Sequence, residues 1–175
     1  MHHSLVTSND MGRTFKLTGG DKLDSALKLI EAKAKKMVWL SVGFPEGGTE
    51  PDGQPTPLVA FLNEFGKTVR SKEGDYYQLP RPFFRNMIAK GSPDWPRQLA
   101  EALRQTDYDA VAALELLGEE LKAQLIESIN ELQDPPLAPS TIRKKKFSIN
   151  PSKPLIDSGT MSKAPTAWID ETGKE

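Results

Sequence analysis

Residues 110–132 read AVAALELLGEELKAQLIESINEL, and this stretch decides the fold. Apolar side chains recur within it every three or four residues, which is the period of one face of an α-helix. The stripe consists of Leu114, Leu117, Leu121, Leu125, Ile129 and Leu132. Asp107 or Asp109 can cap the N-terminus, and Pro135 and Pro136 end the helix. The pattern therefore predicts one long helix of about 35 Å with a continuous buried face.

The chain before this helix reads as short strands and shorter helices separated by loops. Alternating or β-branched runs predict strands at 14–18 and 37–44. Residues 45–57 hold four prolines and three glycines, which predicts an exposed loop, and residues 67–80 read as a polar loop. Helical spacing and capping residues predict further helices at 22–36, 58–65, 83–90 and 93–105.

The chain after the long helix is rich in proline and in basic residues. A helical turn is predicted at 140–145 and a final short strand at 167–169. The whole pattern predicts an α+β fold, with a small sheet packed against several helices that include the long one. We expect a core domain at 1–134 and an extended, Pro-rich C-terminal arm at 135–175.

Composition excludes several classes of function. The 175 residues contain no cysteine, which rules out disulfides, thiolate metal sites and thiol nucleophiles. The net charge is −1, from 23 basic and 24 acidic residues, so nothing indicates bulk binding of nucleic acid. No apolar run approaches the roughly 20 residues that a membrane helix needs, and the N-terminus lacks a hydrophobic signal core. We expect a soluble cytoplasmic protein without a membrane contact.

No set of catalytic residues emerges from the sequence. The two histidines are His2 and His3, in an N-terminus without a pattern, and no acidic cluster matches a metal loop. We therefore predict no catalytic residues, no cofactor and no metal. One alternative is an aspartic-protease-like homodimer using Asp157, because residues 155–159 read Leu-Ile-Asp-Ser-Gly. Only 16 residues follow Gly159, so a turn that Asp157 and a positive φ at Gly159 stabilise is the favoured interpretation.

Three segments are candidate contacts with partner proteins. Residues 81–85, Arg-Pro-Phe-Phe-Arg, combine the residue types that anchor interfaces, and we expect one phenylalanine in the core and one at a subunit contact. The basic run 143–146 is expected to meet an acidic protein face in preference to DNA. Phe61 and Phe65 are expected in the core. The predicted contact residues are Arg81, Phe83, Phe84, Arg85, Arg143, Lys144, Lys145, Lys146, Leu155, Ile156 and Asp157.

Several short motifs, taken in order, resemble one family. They are VAFLNEFG at 59–66, LPRPFFRNMI at 79–88, LLGEEL at 116–121, PPLAPSTIRKK at 135–145 and KPLIDSG at 153–159. The set is similar to the neck and tail-completion proteins of tailed bacteriophages, which include minor tail protein Z and related virion-morphogenesis proteins. The chain departs from that family after Gly159, where TMSKAPTAWID replaces the usual strand.

The resemblance implies a structural virion protein and not an enzyme. It implies a small α+β subunit that forms a ring, sixfold, in the neck at the head–tail junction and completes or joins the tail to the head. Its partners would be further copies of itself, head-completion or adaptor proteins, and the tail terminator or tail tube protein. Its location would be the virion, after assembly in the host bacterial cytoplasm. A DNA-contacting connector adaptor stays a second alternative.

Overall fold

The computed structural model describes residues 24–25, 27–28, 38–70, 74–145, 148 and 150–170. The chain forms two compact units, residues 1–35 and 36–175. In the first unit, Asp24, Ser25, Leu27 and Lys28 are helical. The rest of the helix predicted at 22–36 and the strand predicted at 14–18 lie outside the described residues. All that follows concerns the second unit.

The second unit combines helices with short antiparallel strands, which confirms the predicted α+β class and the long helix. The two sheets have two strands each, β1 with β4 and β2 with β3. In chain order the elements are β1 (Trp39–Gly43), α1 (Thr56–Phe65), β2 (Lys67–Val69), β3 (Tyr76–Gln78), α2 (Phe83–Gly91), α3 (Trp95–Gln105), α4 (Ala110–Glu131), α5 (Pro139–Lys144), α6 (Thr160–Lys163) and β4 (Thr166–Asp170).

Helix α4 forms the centre of the core, as its apolar stripe predicts. Of the two candidate caps, Asp109 is the one used, and its carboxylate accepts the backbone N–H groups of Val111 and Ala112 at 3.0 and 3.2 Å. Leu125 and Ile129 are almost completely buried against Phe83 of α2. The core cluster consists of Ala60, Phe83, Met87, Leu125, Ile129, Leu132, Leu155 and Met161.

The C-terminal segment returns to this core. Strand β4 pairs antiparallel with β1, with Trp168 opposite Ser41, and Leu155 and Met161 are buried in the core cluster. The described C-terminal part of the arm predicted from residue 135 therefore packs on the core and does not extend away from it. The physical reason is that β1 needs a backbone partner and α4 needs apolar cover, and β4 with residues 155–161 supplies both.

Three local predictions differ from the structure. Residues 67–80 are not only loop, because Lys67–Val69 and Tyr76–Gln78 pair as a short hairpin in which Thr68 faces Tyr77. Helix α1 begins at Thr56, two residues early, since a proline fits its first turn. Helix α3 begins two residues late, because Ser92 stays in helical conformation and its N–H donates to Ile88 O, closing α2.

The sheet approaches α4 closely at Gly118. A Cβ atom built on Gly118 would lie 2.9 Å from both Ala167 Cβ and Leu40 Cδ1. Real side-chain atoms do not come that near, so β1 and β4 can rest on the helix only where this side chain is absent. The glycine in the middle of the helix therefore serves packing, although it costs about 1 kcal/mol in helix propensity relative to alanine.

Gly118→Val should consequently weaken the fold. The added methyl groups must push the sheet away from α4, so we expect the free energy of unfolding to fall by about 1–3 kcal/mol in urea denaturation. Ala123→Val, on the exposed face of the same helix, is the matched control and should cost about 0.5 kcal/mol. Equal losses in the two variants would contradict the close contact.

Candidate interaction surface

Helix α1 buries an unexpected face. Its buried residues are Thr56, Ala60 and Glu64, spaced four apart. Phe61 and Phe65, predicted to be core, are 58% and 50% exposed. That prediction is wrong because the small residues at 56 and 60 allow close packing on one side, and the adjacent positions then point about 100° away from it. The two rings lie against each other at the surface, with centroids 4.7 Å apart.

Glu64 joins α1 to the start of α2. The residue before α2 is Pro82, whose side chain cannot cap the helix. The buried Glu64 carboxylate takes that role from another helix, accepting the backbone N–H groups of Phe84 at 2.9 Å and Arg85 at 3.3 Å. The carboxylate also accepts a hydrogen bond from Arg85 Nε at 2.8 Å, and Arg85 Nη2 donates to the backbone carbonyl oxygen of Glu64 at 2.9 Å. Negative charge at a helix N-terminus is stabilising, so the arrangement locks both helices together.

An aromatic groove results from this arrangement. We use that name for the space of about 420 Å³ lined mainly by Phe44, Phe61, Phe65, Phe83, Phe84 and Ile88. The Arg85 guanidinium carbon lies 5.3 Å from the centroid of the Phe65 ring, within cation–π range. Arg85 is already paired with Glu64, so the groove presents an apolar surface with little net charge.

The predicted contact residues 81–85 are divided between core and surface. Phe83 is 1% exposed and Phe84 is partly buried, which confirms that one of the two phenylalanines belongs to the core. Arg81 is buried rather than available to a partner: its backbone N–H donates to Asn63 O at 2.7 Å, and burial lowers the pKa of its guanidinium. Arg85 lies on the surface with a half-exposed side chain. A subunit contact at this segment stays a prediction.

Of the two basic side chains of the run 143–146 that the structure describes, one is internal and one is exposed. Lys145 turns inwards, and its Nζ donates to the carbonyl oxygens of Lys153 and Ile156, both at 2.6 Å. Burial lowers the pKa of the Lys145 ammonium, while the Asp157 carboxylate acts in the opposite direction. The prediction of Lys145 as a partner contact is therefore corrected, because its charge organises the chain's own turn. Arg143 is exposed, and the side chains of Lys144 and Lys146 lie outside the described residues.

Residues 155–159 form the predicted turn with a different bonding pattern. Gly159 has a φ of 77°, as expected. Two serine side chains bond the local backbone: Ser158 Oγ accepts the N–H of Thr160 at 3.2 Å, and Ser162 Oγ donates to Gly159 O at 3.0 Å. Leu155 is buried in the core, so it is not available to a partner, while Ile156 is half-buried and Asp157 is exposed. Asp157 faces a cleft that Glu50 and other residues of the proline-rich loop also line.

Other kinds of site find no support in the part of the chain that the structure describes. No three of its acidic or histidine side chains are placed to hold a metal ion together. Among the described helices, none has the length and apolarity to span a bilayer. Comparison with protein-family models, curated proteins and solved structures gives no match for this chain.

The Glu64 cap and the exposed phenylalanines were missed by sequence reasoning. One signal was available: the residues Thr56, Ala60 and Glu64 recur every four positions and include two small side chains. Because phenylalanine is far more apolar than these residues, a hydrophobicity pattern alone predicts that the phenylalanine face of α1 is buried, which is the wrong face. The partner of Glu64 lies 20 residues further along the chain, beyond any local pattern.

Removing the Glu64 carboxylate should destabilise the unit. Glu64→Ala leaves two N–H groups of α2 and the Arg85 side chain without their acceptor, and we expect a loss of about 2–3 kcal/mol in chemical denaturation. Glu101→Ala is the control, since Glu101 lies in an exposed ion pair with Arg104 and should change stability by under about 0.5 kcal/mol. A Glu64→Ala protein as stable as the control would disprove the capping role.

Lys145→Met should loosen the C-terminal turn. The methionine keeps an unbranched side chain one atom shorter than lysine but leaves the Lys153 carbonyl without its donor, at a cost of about 1–3 kcal/mol. We expect faster amide exchange and earlier proteolytic cleavage across residues 150–160 than in the parent protein. Arg143→Met, which removes an exposed charge from the same run, should leave both rates unchanged. Identical rates in the two variants would contradict the role of Lys145 as an internal donor to the turn.

Proposed function

We propose that this chain is a structural virion protein of a tailed bacteriophage, in which a ring of copies forms part of the neck and completes or joins the tail to the head. The resemblance of its ordered motifs to neck and tail-completion proteins suggests the class. Two of these motifs coincide with the aromatic groove: residues 59–66 lie mostly in α1, and residues 79–88 lead into α2. Two of the motifs that carry the resemblance thus lie in segments that leave apolar surface open.

The aromatic groove is the observation that supports this proposal. Phe61, Phe65 and Ile88 are 58%, 50% and 41% exposed around it. With about 200 Å² for a whole phenylalanine side chain, the two half-exposed rings leave about 200 Å² in water. At about 25 cal/mol per Å², covering them would contribute about 5 kcal/mol before the costs of association. We infer that this open aromatic surface is a site of contact with another protein.

Such a groove is compatible with the ring that the resemblance implies. If the groove of one copy is covered by a different surface of the next copy, the contact is heterologous and closes into a ring when the rotation allows. A net charge of −1 means that copies repel one another little at long range. Head-completion or adaptor proteins and the tail terminator or tube would then meet the two ends of the ring.

The two alternatives receive less support. A protease homodimer would need two Asp157 carboxylates close enough to share a proton, and Asp157 lies on an exposed turn between α5 and α6. A DNA-contacting adaptor would depend on the basic run, in which the Lys145 ammonium is bound to backbone carbonyls. The groups that are exposed on the described surface favour contact with a protein over contact with DNA.

Polar substitution of the groove should separate folding from assembly. We expect Phe61→Ser/Ile88→Ser to keep the parent's circular dichroism, because both side chains are exposed, and to lose self-association in sedimentation velocity. In a phage that encodes this chain, the variant supplied in trans to a null mutant should leave separate heads and tails in electron micrographs.

The matched control is Leu116→Ser on α4, which removes an apolar side chain of similar exposure, 48%, outside the groove. It should restore joined particles and infectivity to the parent's level. Normal particles from the groove variant, or labelling of this chain somewhere other than the neck of whole particles, would overturn the proposal.

A further inference from the structure

A second exposed apolar surface lies on the sheet that β1 and β4 form. Successive residues of a strand point to opposite faces of its sheet. Leu40 and Ala167 lie against Gly118 of α4, so they belong to the inner face. The opposite face, which we call the outer sheet face, consists of Trp39, Ser41, Gly43, Thr166, Trp168 and Asp170.

The outer sheet face lacks the composition of a solvated face. An antiparallel sheet with one face in water normally carries polar and charged side chains there. Here two of the six positions are tryptophans, 54% and 43% exposed, and the one charged residue among the six, Asp170, lies at the end of the face. Trp39 and Trp168 are diagonal neighbours across the two strands, a spacing that aromatic side chains can bridge. Exposed tryptophan is typical of surfaces that a partner covers.

The outer sheet face is continuous with the aromatic groove. A Cβ atom built on Gly43 would lie 3.8 Å from the Cη2 atom at the tip of the Trp168 indole, so this ring extends from β4 across β1. Gly43 also lines the aromatic groove, together with Phe44 and Phe61. The two surfaces therefore meet at Gly43, and we call their union the aromatic strip.

The groove by itself is too small for a stable contact between subunits. A standard interface buries about 800 Å² on each partner, whereas Phe61 and Phe65 leave about 200 Å² exposed. With about 250 Å² for a whole tryptophan, Trp39 and Trp168 add about 240 Å². Homodimer interfaces are about 65% apolar, so one face of standard size contains about 520 Å² of apolar area. The four aromatic residues of the strip supply about 440 Å² of it.

The size and the charge of the strip fit a second copy of this chain. Its apolar area approaches what one side of a stable homodimer contact needs, which the groove alone does not. The six positions of the outer sheet face include no basic residue, whereas surfaces that stack nucleic-acid bases combine aromatic rings with positive charge. A net charge of −1 lets copies of the chain approach one another with little repulsion.

We propose that the outer sheet face is buried against a second copy of this chain, as an extension of the contact that the aromatic groove makes. Trp39 and Trp168 then serve as anchors of the interface between copies. The inference rests on the self-association proposed above, and it adds the surface that gives this contact sufficient area. It concerns the contact between copies and is independent of where the assembly is located.

The three tryptophans of the chain allow a direct test. The full chain is labelled with 5-fluorotryptophan, and its three ¹⁹F resonances are assigned by single Trp→Phe substitutions. Spectra are recorded with a soluble gadolinium chelate, from dilute monomer to the concentration at which sedimentation velocity shows association. We expect Trp39 and Trp168 to shift and to gain protection from the chelate as the protein associates. Trp95 is the internal control and should not change, because its indole N–H donates to Gln124 Oε1 within the subunit at 3.0 Å.

A variant measures how much the outer sheet face contributes. Trp39→Ser/Trp168→Ser, checked for the parent's circular dichroism, should raise the dissociation constant of self-association at least about tenfold, because truncation of an interface tryptophan commonly costs that much. Leu116→Ser, which removes a side chain of similar exposure from α4, is the matched control and should associate as the parent does. Equal dissociation constants for the tryptophan variant and the parent would contradict the inference.

The labelled parent decides the inference even if the tryptophan variant fails to fold. The inference is overturned if the protein associates while Trp39 and Trp168 keep their resonances and their access to the chelate. In that case the proposed function stands, provided that the groove variant still abolishes association. Protection of both rings in the dilute monomer would assign their cover to the chain itself, and a parent that stays monomeric at every concentration would also overturn the inference. The location in the neck is decided separately, by the joined particles of the complementation assay.

Discussion

The carboxylate of Glu64 holds the N-terminus of α2 against α1, and the arrangement of the surrounding surface depends on it. Helix α2 begins after a proline and has no capping side chain of its own, so its first N–H groups need an acceptor from elsewhere. Glu64 supplies the acceptor while 5% exposed. A carboxylate buried to that degree is stable only with its hydrogen bonds made, so the two helices have one relative position in which both requirements are met.

The aromatic groove follows from that constraint. With Glu64 turned inwards, the neighbouring positions of α1 have to point outwards, and these positions carry Phe61 and Phe65. Arg85 then extends from Glu64 across the Phe65 ring. The same contact that caps α2 therefore leaves an apolar surface exposed. Folding does not bury the two phenylalanine rings, so the free energy of burying them remains available to association.

The C-terminal segment completes the unit from a distance in sequence. Strand β4 supplies the partner of β1, residues 155–161 cover the end of α4, and Lys145 and Lys153 tie the intervening turn to backbone carbonyls. One basic side chain of the run 143–146, Lys145, thus serves as an internal donor. Since β1 and β4 lie more than 120 residues apart, their pairing links the two ends of the described unit and makes the sheet dependent on correct packing of everything between them.

The sequence by itself determined the elements whose signals are local. The stripe of α4, the end of α1 at residue 65, the proline-rich loop and the short final strand are all visible in runs of a few residues, because propensity, capping and apolar period act over one or two turns. Only the tertiary structure decided which face of α1 is buried, where β4 pairs, and that Arg81, Lys145 and Leu155 are internal while Phe61 is exposed. Those outcomes depend on contacts beyond one or two helix turns, such as Lys145 with Ile156 and Glu64 with Phe84 of α2, and on a glycine at 118 that admits the sheet. The observed orientation of α1 buries the hydrogen-bonded Glu64 carboxylate and leaves the two phenylalanines exposed, and no pattern within a single helix predicts that orientation.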